Sequence, residues 1–213
     1  MKKRYRQHVN PLKMTSLVPR EPLDLPDGPQ VEVELGCGDA RFLIELAREN
    51  PDALYVGLDI RDEFLDFGRQ EIDRLELHNV TLERSNLIVD LDHLFFPGRV
   101  RRFYVNFPDP WFKPRHQNRR WLTEDRVPCL VRALRRRGEI LYQTDVWELA
   151  LEALALFEGA GALTNEAGDW CFLRGPNPFG VRSSREQACE EERRPIWRLL
   201  FIKLEGDDED SYD

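Results

Sequence analysis

The sequence predicts an α/β fold with a mostly parallel sheet of seven strands, helices on both faces and an antiparallel hairpin at the C-terminal end. Two observations support this prediction. From Val31 to Phe157, short apolar runs alternate with segments of helical periodicity, an order that produces a parallel sheet covered by helices. After Gly161 the alternation stops, and two apolar runs remain without a helical segment between them. We therefore expect the last two strands to pair antiparallel at the sheet edge.

The elements follow in order along the chain. The first half is a βαβαβ unit of strand Val31–Leu35, helix Arg41–Glu49, strand Leu54–Asp59, helix Glu63–Leu77 and strand Val80–Glu83. The second half has strand Phe103–Asn106, a polar loop to Arg120, helix Glu124–Arg136 capped by Gly138, strand Glu139–Gln143 and helix Val146–Phe157. The hairpin strands are Ala162–Glu166 and Ile196–Leu204. The loop over 171–195 is long enough to reach the functional edge of the sheet.

The segment over 31–204 is expected to form one domain, because its length suits a single α/β core. The segment over 1–30 is basic and rich in proline, so we expect an irregular N-terminal arm. The stretch over 205–213 has six acids in nine residues and is expected to be a disordered tail.

Several function classes are disfavoured by composition. No apolar run approaches the ~20 residues of a membrane span, and no apolar segment suited to a secretory signal follows the basic N-terminus. We therefore expect a cytoplasmic protein with no membrane partner. The four cysteines are scattered, without paired or metal-ligating spacing, so we expect reduced, buried thiols and no metal site.

The net charge of −8 hides an uneven distribution. Residues 1–20 carry six Lys/Arg and no acid, and residues 99–137 carry twelve Lys/Arg against three acids. Because local potential matters more than net charge, such a region can follow a phosphate backbone. For the cluster over 132–137, a solvated basic helix face remains the alternative.

The stretch VEVELGCGDARF is typical of a ligand-binding turn after the first strand of a parallel sheet. Glu34 lies near the end of that strand, and Gly36 and Gly38 form a turn whose backbone a ligand can approach closely. A dinucleotide fingerprint needs a small residue where Arg41 stands, which disfavours NAD. Asp59 ends the second strand 23 residues after Gly36, close to the spacing of an acid that binds ribose hydroxyls.

The stretch NFPDPWFKPRHQNRRW follows the fourth predicted strand and combines rigidity, a carboxylate and positive charge. Pro108 and Pro110 fix the backbone around Asp109, and Trp111 offers a stacking surface for a planar base. The cations that follow suit RNA phosphates and are Lys113, Arg115, His116, Arg119 and Arg120. The stretch therefore predicts recognition of a nucleobase in RNA.

Both stretches resemble motifs of known families. ELGCGDA resembles the ExGxGxG motif of the Rossmann-like class I methyltransferases, which bind S-adenosylmethionine, with Ala40 at the third glycine. FPDPWFKPRHQNRR closely resembles the FPDPW-K-x-RH-x-x-RR signature of the bacterial tRNA (guanine-N7)-methyltransferase family. The resemblance covers about residues 31–204, including QTDVW and the final SSRE…PIWRLLF segment. It implies methyl transfer from S-adenosylmethionine to N7 of a guanine in tRNA, and it points to the variable-loop guanine.

The resemblance also implies the roles of particular residues. Those implied to bind the methyl donor are Glu34, Gly36, Gly38, Asp59, Asn86 and Asp109, and Asp109 is also implied to be catalytic. Asn86, just past the third predicted strand, is implied to bind the adenine edge, and an ordinary loop asparagine remains the alternative. Those implied to contact tRNA are Lys113, Arg115, Asp145, Ser183, Ser184, Arg185 and Glu186. The family usually has Thr-x-Tyr/Phe-Glu in the last block, so Arg185 replaces an aromatic residue, although a guanidinium plane can also stack on a base.

The chemistry requires positioning more than proton transfer. Guanine N7 has an in-plane lone pair and no proton, so it can attack a sulfonium methyl group without a general base. We expect Asp109 to accept hydrogen bonds from guanine N1–H and the 2-amino group, helped by Asp145 or Glu186, and to stabilise the cationic product. The protein is expected to act as a monomer or a weak homodimer.

Two other functions compete with this interpretation. An amino-methyltransferase acting on adenine N6 or cytosine N4 carries an (N/D)PP(Y/F/W) loop at the same place, but here Asp109 separates Pro108 from Pro110 and a basic run follows. An RNA-binding module without a donor site is disfavoured because the glycine turn and Asp59 are present.

Overall fold

The computed structural model of the protein describes residues 10–13, 21–25 and 30–205. Most of the predicted arm and all but the first residue of the predicted acidic tail lie outside the described residues. The strands are β1 Gln30–Leu35, β2 Ala53–Asp59, β3 Val80–Arg84, β4 Val100–Asn106, β5 Leu134–Thr144, β6 Leu163–Asn165 and β7 Trp197–Lys203. The α-helices are α1 Arg41–Glu49, α2 Asp62–Arg74, α3 Leu87–Leu94, α4 Val127–Ala133, α5 Trp147–Glu158 and α6 Ser184–Glu191. Short 3-10 turns lie at Pro11–Lys13 and Pro114–Arg119.

The seven strands form one sheet in the order β3-β2-β1-β4-β5-β7-β6. The pairs among β1 to β5 are parallel, whereas β7 is antiparallel to both β5 and β6. The predicted mostly parallel seven-stranded sheet with an antiparallel C-terminal end is therefore confirmed. β7 lies between β5 and β6, because the long segment before it lets the chain return to the inner position.

Apolar cores cover both faces of the sheet, so the predicted helices on both faces are confirmed. On one face α3, α4 and α5 pack against a core that includes the fully buried Phe103 and Phe157. On the other face α1 and α2 pack against a core that includes Phe42 and Tyr104, whose rings meet edge to face at a centroid distance of 4.9 Å.

Two helices are absent from the sequence-based prediction. Helix α3 begins after Asn86, whose side-chain oxygen accepts a hydrogen bond from the backbone N–H of Ile88 at 3.2 Å. Helix α6 begins after Ser183, whose hydroxyl accepts from the backbone N–H of Glu186 at 3.2 Å. Both are short helices of eight residues with a single polar cap each, and apolar periodicity alone does not reveal them.

The predicted helix Glu124–Arg136 and its cap at Gly138 are wrong in their boundaries. The helix ends at Ala133, and the next residue, Leu134, already belongs to β5 and pairs with Val100 at the start of β4. Leu134 is fully buried there, so strand pairing and burial outweigh the helical pattern of the basic stretch that follows. Gly138 lies within β5.

Gly57 in β2 stands where no side chain fits. A Cβ atom at this position would lie 2.6 Å from Leu82 Cδ2 and 2.8 Å from Cys37 Sγ. We therefore expect Gly57→Ala to lower the free energy of unfolding by about 1–3 kcal/mol, as overpacking of a filled core does. Urea unfolding followed by circular dichroism measures this, and an unchanged midpoint would contradict it.

Candidate active site

A pocket lies at the carboxyl ends of the central strands. It is at the point where the direction of strand succession reverses, because β1 has β2 on one side and β4 on the other. Ligands of open α/β sheets bind at such switch points. Four of the residues predicted for donor binding line this pocket, and they are Gly36, Asp59, Asn86 and Asp109. The other two lie beside it. Glu34 is buried and accepts a hydrogen bond from Asn106 Nδ2 at 2.8 Å, and the backbone N–H of Gly38 donates to Asp59 at 2.9 Å.

The glycine turn between β1 and α1 leaves room for a ligand against its backbone. Gly36 has φ of 86° and Gly38 has φ of 58°, a region that favours glycine. A Cβ atom at Gly36 would meet no heavy atom within 4 Å, so the space beside this residue is open. Ala40, at the third position of the motif, has φ of 55° and is fully buried at the start of α1. The turn thus keeps its left-handed conformation with alanine there.

Asp59 is buried, and each oxygen of its carboxylate accepts two hydrogen bonds. Its Oδ1 accepts from the backbone N–H and Nε of Arg61, and its Oδ2 accepts from Arg61 Nη2 and the Gly38 N–H, each at 2.9 Å. The Arg61 guanidinium also lies over the Phe64 ring, 4.3 Å from the centroid. Burial alone would lower the pKa of Arg61, but its hydrogen bonds to Asp59 and that carboxylate's charge hold the pKa above its ordinary value. The sequence analysis did not predict this pairing of Arg61 with Asp59. The signal for it was that Arg61 lies only two residues after an acid that ends a strand.

Asn86 lines the pocket, but its side chain has other partners in this structure. Its oxygen caps α3, and its Nδ2 donates to the carbonyl of Pro11 at 3.1 Å. Pro11 itself lines the pocket, so a described part of the N-terminal arm lies against the site.

The loop that carries Asp109 is held in place by the side chain of Arg120. Arg120 donates from Nε and Nη2 to the carbonyl of Pro110, at 3.1 and 2.8 Å, and also pairs with Glu152. The Arg119 guanidinium lies over the Trp111 ring, 4.9 Å from its centroid. Arg119 and Arg120, which sequence reasoning grouped with the phosphate-binding cations, thus also build the loop.

The exposed part of the same loop carries positive charge. Lys113 and Arg115 are exposed, and neither lines the pocket. Desolvation, followed by the charges of Arg119, Arg115 and Lys113, lowers the pKa of His116. The loop therefore presents a surface suited to anions next to Asp109.

The remaining predicted substrate residues form a second group around the start of α6. Asp145 accepts from Arg185 Nη2 and Arg194 Nη1, each at 2.8 Å. Ser184 is exposed, Ser183 caps the helix, and Glu186 is fully buried. The structure thus joins Asp145 to Arg185, and none of the residues of this group lines the pocket.

The thiols differ sharply in environment. Cys37 and Cys189 are buried, Cys129 is partly buried and Cys171 is exposed. The expectation that every cysteine is buried is therefore wrong for Cys129 and Cys171. Burial, and then the charges of Glu34 and Asp59, raise the pKa of Cys37 well above its ordinary value.

We expect iodoacetamide at pH 8 to alkylate Cys171 in the folded protein and to leave Cys37 unmodified, which peptide mass spectrometry can measure. Rapid labelling of Cys37 would contradict this burial.

Within the described ranges, no cluster of three or more His, Cys, Asp or Glu side chains is arranged to hold a metal ion. None of the described helices has both the length and the apolar character of a membrane span.

Solved structures share this fold at low sequence identity. The 16S rRNA methyltransferase KamB aligns with a TM-score of 0.58 and 15% identity, covering 85% of this chain and 95% of the other. The precorrin-6y C5,15-methyltransferase of Geobacter metallireducens aligns with a TM-score of 0.55 and 19% identity, covering 82% of this chain and 80% of the other. These similarities support the class I methyltransferase fold.

Sequence relatives are more specific. The family described as "Putative methyltransferase" matches residues 29–199. The tRNA (guanine-N(7)-)-methyltransferase of Synechococcus sp. strain JA-3-3Ab is 35% identical, over 92% of this chain and 84% of the relative. The enzyme of the same name from Synechococcus elongatus is 34% identical, over 96% of this chain and 98% of the relative. On its fold, its pocket and these matches, the chain belongs to the tRNA (guanine-N7)-methyltransferase family.

Proposed function

We propose that this protein transfers the methyl group of S-adenosylmethionine to N7 of a guanine in the variable loop of tRNA. The observation that carries the proposal is the pocket in which Asp109 of the FPDPW loop lines the same cavity as Gly36 and Asp59. One cavity thus combines a donor-type turn with a carboxylate suited to guanine. The relatives named tRNA (guanine-N(7)-)-methyltransferase support the choice of substrate.

The residues present fit the donor. The open space beside Gly36 suits the methionine part, and the buried Asp59 suits the ribose hydroxyls. Asn86 and the adjacent apolar residues of the pocket, Leu87 and Ile88, suit the adenine. When bound, S-adenosylmethionine supplies an electrophilic methyl group. The protein's own task is to hold guanine N7 in line with that group, and alignment of this kind can contribute roughly 7–11 kcal/mol.

Ribose binding at Asp59 requires movement of Arg61. An ionised carboxylate offers about four lone-pair sites. At Asp59 all four are used, because Arg61 donates three hydrogen bonds to the carboxylate and the Gly38 N–H donates one. Two ribose hydroxyls can therefore bind only when the Arg61 side chain leaves the carboxylate. Arg61 keeps the buried charge of Asp59 compensated until the donor arrives.

Asp109 is assigned to the guanine base. Its carboxylate would accept hydrogen bonds from N1–H and the 2-amino group, which leaves N7 directed at the donor. The base becomes cationic on methylation, and the negative charge of Asp109 stabilises that product. Asp109 lines the pocket and Asp145 and Glu186 do not, so we assign this contact to Asp109 alone.

The RNA around the target guanine would meet the basic loop and the start of α6. Lys113 and Arg115 are exposed for phosphate contacts, and Arg185, held by Asp145, presents a guanidinium plane next to the exposed Ser184. Because phosphate contacts release counterions, tRNA affinity is expected to fall steeply with salt.

The test is incubation of the protein with unmodified tRNA and labelled S-adenosylmethionine, followed by nucleoside analysis. We expect label in 7-methylguanosine at the variable loop. Label in N6-methyladenosine or N4-methylcytidine would overturn the proposal in favour of an amino-methyltransferase. Failure of labelled donor to bind in equilibrium dialysis would instead support an RNA-binding module.

A further inference from the structure

A row of buried polar side chains crosses the central strands just below the pocket. In the sheet, Asn106 of β4 pairs with Gln143 of β5, and Gln143 pairs with Arg198 of β7. These three side chains therefore lie side by side at one level of the sheet. Glu34 of β1 joins them at one end, and Glu186 of α6 joins them at the other.

Hydrogen bonds connect the row without a break. Asn106 donates to Glu34 at 2.8 Å, and Gln143 Nε2 donates to Asn106 Oδ1 at 2.8 Å and to Glu186 Oε2 at 3.0 Å. Arg198 donates from Nε to Gln143 Oε1 at 3.1 Å and from Nη2 to Glu186 Oε1 at 2.7 Å. Every member is less than a tenth exposed. Gln143 is the branch point, because it contacts three of the other four.

Stability alone does not explain such a row. Buried ion pairs contribute little to stability compared with well-packed apolar residues, because both charges lose their hydration. A buried hydrogen-bond network does hold its members in one arrangement. The members at the two ends are informative: Glu34 lies two residues before Gly36 of the donor turn, and Glu186 directly follows Arg185 of the predicted tRNA contact.

We propose that Gln143 and Arg198 are positioning residues, which set the start of α6 relative to the donor turn through the row from Glu186 to Glu34. This proposal rests on the proposed function, since it assigns the two ends to the two substrates. Neither residue lines the pocket, so their effect on methyl transfer is through the placement of Glu34 and Glu186.

The same face of the sheet offers a matched control. A second buried polar cluster joins Glu32, Arg102 and Tyr104 one level further from the pocket. Tyr104 is fully buried, like Gln143, and loses two hydrogen-bond partners in Tyr104→Phe. The two hydrogen bonds lost in Tyr104→Phe join its hydroxyl to Arg102 and Glu32, and neither partner belongs to the row or to α6. Their loss should therefore affect stability without affecting the alignment of the site.

The experiment compares Gln143→Leu with Tyr104→Phe. We expect Gln143→Leu to lower kcat about tenfold or more, as loss of a buried hydrogen-bond partner allows, with a smaller effect on KM for tRNA. Tyr104→Phe should lose similar thermal stability and keep kcat within about twofold. Arg198→Lys, which keeps the charge beside Glu186 but cannot also reach Gln143, should fall between them. An equal loss of kcat in Gln143→Leu and Tyr104→Phe, or wild-type kcat in Gln143→Leu, would overturn the proposal.

A second readout is independent of activity. In hydrogen exchange without substrates, Gln143→Leu should accelerate exchange at both 36–40 and 184–187, and Tyr104→Phe should accelerate neither. Acceleration at only one segment, or at neither, would refute coupling between them. If the wild-type protein forms no 7-methylguanosine, the proposed function fails, while the exchange data still decide whether the row couples the two segments.

Discussion

Replacing Asp109 with asparagine is expected to lower the single-turnover rate of methyl transfer by about 10²–10³-fold, the usual loss when one preorganised contact to a developing charge is removed. Asparagine has the same shape, and Arg120 holds the loop through the Pro110 carbonyl, so the backbone should stay in place. What is lost is the negative charge facing a base that becomes cationic. Labelled donor with enzyme in excess over tRNA measures this rate.

Two further measurements separate this effect from damage to the site. The affinity for S-adenosylhomocysteine, measured by calorimetry, should change less than about fivefold if Asp109 acts mainly on the guanine. Asp125→Asn is the matched control, because Asp125 follows the same loop and its side chain is 74% exposed. Wild-type turnover in Asp109→Asn would exclude Asp109 as the catalytic carboxylate.

Replacing Asp59 with asparagine is expected to weaken S-adenosylhomocysteine binding by about 10–150-fold, since a hydrogen bond to a charged group contributes roughly 1.5–3 kcal/mol. The amide removes one acceptor oxygen and the charge that would hold the ribose hydroxyls. Isothermal titration calorimetry measures the affinity. Melting temperature must be recorded alongside, because Arg61 and the Gly38 N–H lose a partner as well.

Arg61→Ala should act in the opposite direction. Removing the side chain frees the two acceptor sites on Asp59 for which Arg61 and the ribose hydroxyls compete. Affinity for S-adenosylhomocysteine should therefore rise. The rise is about tenfold if the Arg61-bound form makes up nine-tenths of the free protein. Arg48→Ala is the control, because Arg48 pairs with exposed Glu45 on α1 and does not line the pocket. Weaker or unchanged binding in Arg61→Ala would show that Arg61 supports the donor instead of competing with it.

The fold could be read from the sequence wherever the signal was local. The alternation of apolar runs located β1 to β5 within a few residues, apart from the N-terminal extensions of β4 and β5. Prediction failed at Leu134, where a helical pattern continues but pairing with Val100 begins β5. It also failed at α3 and α6, since each is short and depends on one capping side chain.

The candidate site divides in the same way. Gly36, Asp59 and Asp109 line one pocket, and the sequence could predict this grouping because each belongs to a continuous motif at or just after the end of a predicted strand. Arg61 and Arg120 were not assigned their structural partners, because a basic residue near a site has the same sequence signal whether it binds a phosphate or a carboxylate.

By itself, the sequence determined the α/β class, the donor-type turn and the loop that carries Asp109, since strand length, turn and proline effects act between neighbours in the chain. Only the tertiary structure decided that β7 lies between β5 and β6, and that Glu34, Asn106, Gln143 and Glu186 form one row. These contacts join residues 72, 37 and 43 positions apart. Such pairs depend on strand order and register, which arise when the whole sheet packs and are not encoded in any single segment.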